Sequence, residues 1–376
     1  MEYRKIVIKI GTNLLTDKND NLAIGVISSL VSQIASLHKE GLDVVVVSSG
    51  AIAAGRGVLN IKQDTSTALE NYQAQAAVGQ HHLMETYGRL FFEENITVGQ
   101  ALLTRGELSS GQTGSNVRRA IDELFKLKVI PIVNENDVVA TDEIEASFGD
   151  NDKLSAAVAN LIAADLLIFL TDQDGLFDDD PRVNSRAKMI KHVPRITDEI
   201  ILAANNTPSR RGKGGMASKI LAAAEATSWG TTTVIANGLN ENVVTDIVSG
   251  QQKGTFFEPW GKKVSSSKRR SLGKVFVKGS IVVDKGATEV LLGGKSSLLA
   301  VGVVSVEGFF QSGDIVEIMN PNNDVIARGA TSYPSEVIKL LKGLKTESVR
   351  DVVSKTDFQG DFIGGEIVHI DNMVLV

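Results

Sequence analysis

No cysteine occurs in these 376 residues, which excludes disulfides, thiolate nucleophiles and Cys-ligated metals. The five histidines form no HxxxH or HExxH pair, so the usual helical zinc signature is missing too. No apolar run approaches the roughly 20 residues needed to cross a bilayer. The N-terminus enters a strand-like stretch, residues 5–10 (KIVIKI), with no signal-peptide pattern. A cytoplasmic protein without membrane association is therefore expected. Positive charge is also in deficit: 39 Lys and Arg face 45 Asp and Glu, a formal net of −6. That argues against a chain devoted to nucleic acid or to an anionic membrane. No GxGxxG follows a strand, so dinucleotide binding has no support.

What is present is enough apolar material, 43% of residues, to bury a sizeable core, and enough length for two or three domains. Residues 1–260 alternate β-branched runs with helical patterns, the mark of an α/β unit with a mostly parallel open sheet sandwiched by helices. Strands are expected at 6–10, 44–47, 97–103, 129–133, 166–170 and 232–236, and helices at 24–39, 68–92, 116–126, 154–164 and 217–229. Several strands are apolar nearly throughout, as helices on both faces require. Segment 261–274 (GKKVSSSKRRSLGK) has six basic residues and no acidic one, and reads as an exposed linker. From 275 to 376 the pattern changes to short strands with Gly and Asn turns, the texture of a small, mainly β barrel-like domain.

Open sheets of this kind bind ligands beyond the C-terminal ends of their strands, and five such ends carry unusual polar chemistry. In KIGTN (9–13), Lys9 followed by a glycine turn can aim an ammonium and backbone N–H groups at a phosphate; a snorkelling edge lysine is the plainer account. SSGAIAAGRG (48–57) nearly fits the P-loop pattern, but Arg56 and Gly57 stand where Lys and Ser/Thr are needed. Its small residues suit either close ligand approach at a helix start or tight packing. NEND (134–137) places four polar side chains after a strand, fit for an amino acid's ammonium and carboxylate groups or for a solvated turn. GDNDK (149–153) opens a helix with more Asp and Asn than capping needs. KGGMASK (213–219) offers backbone approach at a helix start, with Lys219 in the first turn, where a cation is unfavourable unless an anion offsets it.

Two lysines flanking carboxylates and amides suit phosphoryl transfer, where positioning and charge stabilisation dominate. A carboxylate acceptor, with an ordinary pKa of about 4.3, is already an anionic nucleophile at neutral pH and needs no general base. Two acidic stretches do not suggest metal sites. DQDG (172–175) lacks the later ligands of a calcium loop, and the run at 178–180 reads as a solvated turn.

The chain resembles the glutamate 5-kinase family of the amino acid kinase superfamily, in the form that carries a C-terminal PUA domain. The resemblance rests on KIGTN (9–13), VSSGAIAAGR (47–56), NEND (134–137), GDND (149–152), TDQDGLFDDDPR (171–182) and GGMASK (214–219), in this order and nearly end to end. It implies the amino acid kinase fold followed by a PUA domain, and phosphorylation of the γ-carboxylate of L-glutamate by ATP as the first step of proline biosynthesis. It also implies residue roles. Lys9 and Lys219 would contact the ATP phosphates and the transferred group, with Asp152 orienting both. Ser49, Asp137 and Asn151 would hold glutamate, Asp137 facing its ammonium. Thr171, Asp172 and the stretch Lys213, Gly214, Gly215, Met216, Ala217, Ser218 and Lys219 would line the nucleotide pocket. Mg²⁺ would be held chiefly by the nucleotide rather than by a protein cage. Proline as feedback inhibitor and a homo-oligomer, dimer or tetramer, are further implications.

Segment 111–119 (GQTGSNVRR) departs from the family's usual Tyr/Phe-Leu-Asn-Ala-Arg stretch, and the loop between Asp137 and Gly149 is longer than the family's. An N-acetylglutamate or other carboxylate kinase is the nearest alternative activity. A PUA domain also raises a different class, an RNA-binding regulator. Residues 274–376 hold ten Lys/Arg against thirteen Asp/Glu, a net of −3, which opposes RNA binding.

Overall fold

Strand alternation along β1 (Lys5–Ile10) sets the layers of the fold. In the computed structural model, Ile6, Ile8 and Ile10 enter one apolar core, while Val7 enters another on the opposite face. Lys9 shares the parity of Val7. The structure describes residues 3–17, 19–61, 69–104, 107–108, 111–139, 151–181, 183–184, 186–197, 200–201, 215–259, 279–294, 296–354, 356 and 365–375. The chain divides into two units, one of residues 1–108 and 116–264, the other of residues 109–115 and 265–376.

After β1 come α1 (Thr12–Leu15), α2 (Ile24–Lys39), β2 (Asp43–Ser48), α3 (Ala51–Leu59), α4 (Leu69–Glu93) and β3 (Thr97–Leu103). Then follow α5 (Gly111–Lys126, of which residues 116–126 belong to this unit), β4 (Val129–Glu135), α6 (Asn151–Ile162), β5 (Leu166–Thr171) and β6 (His192–Val193). The unit continues through α7 (Met216–Ser228), β7 (Thr232–Asn237), α8 (Val243–Val248) and β8 (Thr255–Phe257). The eight strands form one sheet in the order β3-β4-β2-β1-β5-β7-β8-β6. Every pairing is parallel except β7 with β8. The mostly parallel open sheet expected from the sequence is thus present, with β1 in its interior.

That placement overturns the edge-lysine account of Lys9, which is 5% exposed between β2 and β5. One face of the sheet packs on α2, α4 and α8 through Ile27, Leu30, Leu83, Tyr87 and Val244. The other packs on α5, α6 and α7 through Ile121, Leu154, Val158, Ile220 and Ala223. Each fully buried Val, Leu or Ile contributes about 1.5–3 kcal/mol relative to exposure. α6 starts at Asn151, earlier than the apolar periodicity indicated, because its first turn buries polar groups instead. α5 likewise starts ahead of its expected residue 116. Among the described residues, no helix is long and apolar enough to cross a membrane.

The C-terminal unit holds β9 (Gly279–Val283), α9 (Lys285–Leu292), β10 (Leu298–Leu299), β11 (Val303–Gly308), β12 (Ile315–Met319) and β13 (Val325–Ala330). α10 (Ser335–Leu341), α11 (Thr346–Val353), β14 (Glu366–Val368) and β15 (Met373–Leu375) complete it. A five-stranded sheet, β11-β9-β12-β13-β15, and the pair β10–β14 surround a core that includes Ile281, Phe310, Val316, Tyr333 and Ile338. The expected β character is there, together with three helices the sequence reading did not foresee. Asp284 caps α9 by accepting from the Ala287 N–H at 2.7 Å. The linker 261–274 lies outside the described residues.

The small residues after β2 serve packing. α3 and α4 cross so closely that a Cβ on Gly79 would lie 1.8 Å from the Ala51 carbonyl oxygen, and one on Gly55 1.8 Å from that of Gln75. Both obstacles are backbone, so the helices themselves would have to part. Gly79→Ala is therefore expected to destabilise the first unit by about 2–3 kcal/mol in denaturant titration; a change under about 0.5 kcal/mol would show that the crossing yields freely.

Candidate active site

Lys9 reaches the C-terminal part of β1 on the face covered by α6 and α7. Asp152 stands in the first turn of α6, and Lys219 in the first turn of α7. The three meet in an ion triad: Lys9 Nζ is 2.7 Å from Asp152 Oδ1 and Lys219 Nζ is 3.2 Å from Oδ2. Asp152 is 1% exposed and Lys219 6%. Burial pushes the Asp152 carboxyl up, but the charges of Lys9 and Lys219 and their hydrogen bonds outweigh it, holding the group below its ordinary value. The Ser155 hydroxyl donates to the Asp152 carbonyl at 2.6 Å, fixing the turn.

One residue earlier in the same turn, Asn151 joins a second cluster. Its Nδ2 donates to the Ser48 carbonyl at 2.9 Å, Asn134 Oδ1 at 3.0 Å and Ser49 Oγ at 3.1 Å. Gly50, next to Ser49, has φ of 87°, a left-handed conformation that glycine adopts without strain and that turns the chain into α3. Asp137, in the turn after β4, is 8% exposed, and burial raises its pKa from 3.8 to about 6. On the β5 side, Asp172 accepts from Thr171 Oγ1 at 3.1 Å and from Asn13 Nδ2 at 3.0 Å. Gly215 forms the N-cap of α7, followed by Met216, Ala217 and Ser218 in its first turn. Lys213 and Gly214 lie outside the described residues, as do Gly149 and Asp150.

The comparisons with known proteins bear on this arrangement. The model of the Amino acid kinase family matches residues 4–237, and that of the PUA domain matches residues 279–353. The chain belongs to the amino acid kinase family. Among its curated relatives, glutamate 5-kinase of Thermoanaerobacter sp. (strain X514) is 40% identical over 99% of this chain and 98% of its own. Glutamate 5-kinase of Dehalococcoides mccartyi (strain CBDB1) is 41% identical over 100% of this chain and 99% of its own. A solved structure of UMP kinase from Bacillus anthracis covers 69% of this chain and 98% of its own, with a TM-score of 0.51 and 14% identity, a likeness of fold.

Within this amino acid kinase unit, the sequence reading singled out the residues of the triad but missed part of the amide cluster. Asn134 was noticed only as one member of a polar group. It donates through Nδ2 to Gln80 Oε1 at 2.7 Å and accepts from the Glu135 N–H at 2.9 Å. Gln80, in the middle of α4, belongs to no motif in the sequence, and neither does Tyr87, whose OH lies 3.1 Å from Ser48 Oγ. The available signal was polarity on the buried side of a long helix, where Gln75 and Gln80 sit among apolar neighbours.

Proposed function

We propose that this chain transfers the γ-phosphoryl group of MgATP to the γ-carboxylate of L-glutamate, giving L-glutamyl 5-phosphate and ADP, as the first step of proline biosynthesis. The observation that carries the reading is the Lys9–Asp152–Lys219 triad, joined through the first turn of α6 to the Asn151–Ser49 cluster. It sets two cations for a phosphoryl group beside polar groups fit for an amino acid. The names of the full-length relatives supply the substrate. A carboxylate oxygen of glutamate attacks Pγ, the bond from Pγ to the bridging β–γ oxygen breaks, and ADP leaves with that electron pair. No proton has to be removed, because the acceptor is already an anion.

Lys9 and Lys219 would offset the repulsion between the two anions and the charge moving to ADP. Asp152 holds both ammonium groups in register. Ser49, Asn151 and Asp137 would hold glutamate, with Asp137 against the ammonium group. Thr171, Asp172 and residues 213–219 would line the nucleotide side. Mg²⁺ would come with the nucleotide and would supply further neutralisation of its phosphate charge. Cytoplasmic location, homo-oligomerisation and proline feedback belong to the same proposal.

Purified protein supplied with MgATP and hydroxylamine should release ADP and form a γ-hydroxamate with L-glutamate, and do so weakly with N-acetyl-L-glutamate, aspartate or UMP. Equal turnover of N-acetyl-L-glutamate would contradict the assignment, since acetylation removes the charge that Asp137 is proposed to meet.

Asp137 also predicts a pH dependence. Its carboxyl, raised by burial to about 6 in the free protein, must be ionised to bind an ammonium, so protons compete with substrate. KM for glutamate should be flat above about pH 7 and rise roughly tenfold per unit below about pH 6, with kcat little changed. Asp137→Asn should raise KM and abolish this acid limb. A flat KM through this range in the unaltered protein would remove Asp137 from the ammonium site.

A further inference from the structure

Two backbone groups fix the orientation of a chain of three buried amides. The Glu135 N–H can only donate, so the Asn134 atom 2.9 Å from it is Oδ1. The other terminus, Nδ2, then faces Gln80 at 2.7 Å, and Gln80 must present Oε1 to it. At the far end the Ser48 carbonyl can only accept, so the Asn151 atom 2.9 Å from it is Nδ2. That same Nδ2 meets Asn134 Oδ1 at 3.0 Å, and the two anchors agree. Donor and acceptor alternate along the chain without conflict.

The alternation leaves two termini over. Asn151 Oδ1 and Gln80 Nε2 are buried and have no hydrogen-bond partner. Buried polar atoms left in this condition are costly, and in a native protein they call for an explanation. Asn151 shares the first turn of α6 with Asp152 of the ion triad and its Nδ2 meets Ser49 Oγ, so its side chain belongs to the part of the site proposed to take glutamate. An amino-acid substrate brings an ammonium group, a donor with no accepting capacity. Had the amides been set the other way round, Asn151 would offer N–H groups to that ammonium, donor against donor.

We infer that Gln80 is a positioning residue for the amino-acid substrate. By accepting from Asn134 Nδ2, it adds a side-chain anchor to those of the Glu135 N–H and the Ser48 carbonyl, and so helps to keep Asn134, and with it Asn151, in the position that leaves Asn151 Oδ1 to accept from the substrate's ammonium. Gln80 touches no substrate in this scheme and acts through two intervening side chains. The inference rests on the reading of the chain as a glutamate kinase and adds the device by which its ammonium subsite is set.

The test is steady-state kinetics on the full-length protein with Gln80→Met and Gln80→Glu. Methionine keeps the volume and removes the acceptor; glutamate keeps an oxygen where Asn134 Nδ2 needs one. Gln80→Met is expected to raise KM for L-glutamate about tenfold or more, with kcat and KM for ATP within about twofold. Gln80→Glu should keep KM for L-glutamate within about threefold of the unaltered protein. Should Gln80→Met fail to fold, Gln80→Ala removes the same acceptor without new contacts and carries the same expectation. An unchanged glutamate KM on loss of the acceptor, or an equal rise in the Met and Glu variants, would overturn the inference. An unaltered protein that releases no ADP with L-glutamate would instead overturn the function on which it rests.

Discussion

A carboxylate removed from water costs several kcal/mol unless charges and hydrogen bonds replace its hydration, and Asp152 meets that requirement with two lysines from opposite ends of the first unit's sequence. Lys9 comes from the innermost part of the sheet and Lys219 from the start of α7, more than two hundred residues later. For both to reach one carboxylate, α6 and α7 must cover the same face of the sheet, with their N-terminal turns at the C-terminal end of β1. The strand parity that puts Val7 and Lys9 on that face, and the packing of Leu154, Val158, Ile220 and Ala223 beneath it, are the apolar means to this polar end. Removing one partner from such a group leaves a buried charge uncompensated, a loss of about 3–5 kcal/mol. Fold and charge arrangement therefore depend on each other.

Beside the triad, the part of the site proposed to take the amino acid is built on a different principle. Asn134, Asn151, Ser49 and Gln80 carry no charge, and their value lies in direction: backbone groups of Ser48 and Glu135 decide which amide terminus faces where. Asp137, in the turn after β4, adds a carboxylate whose pKa burial raises to about 6. With ion-paired cations proposed for charge transfer and oriented amides proposed for recognition, such a site would separate turnover from affinity, which is why substitutions in its two halves are expected to move different kinetic constants.

Much of this was legible in the sequence where one physical signal dominated. The β-branched runs gave the interior strands because parallel strands buried on both faces are apolar throughout. The polar groups at those strand ends drew out the motifs that hold Lys9, Asp152, Asn151, Asp137 and Lys219, each with a structural account beside it, and the family resemblance then gave the single residues their expected roles. What was hidden depends on partners distant in the chain. Lys9 had an edge-strand reading until the strand order placed β1 inside the sheet. Gln80 meets its partner across fifty-four positions, and nothing local marks it apart from an ordinary polar helix residue. Gly55 and Gly79 show their purpose only once α3 and α4 cross. The short strands β6 and β8 have too few residues to display a period.

If Asp152 makes the two lysines one functional unit, their effects on the reaction must be coupled. Steady-state kinetics of Lys9→Met, Lys219→Met and the double variant measure that coupling directly. Each single change should lower kcat by about a hundred- to thousand-fold, and the double variant should fall little further, because the first loss already disables the pair. Losses that multiply across the two substitutions would mean that Lys9 and Lys219 act independently, and would contradict the account of a shared carboxylate as the organiser of the site.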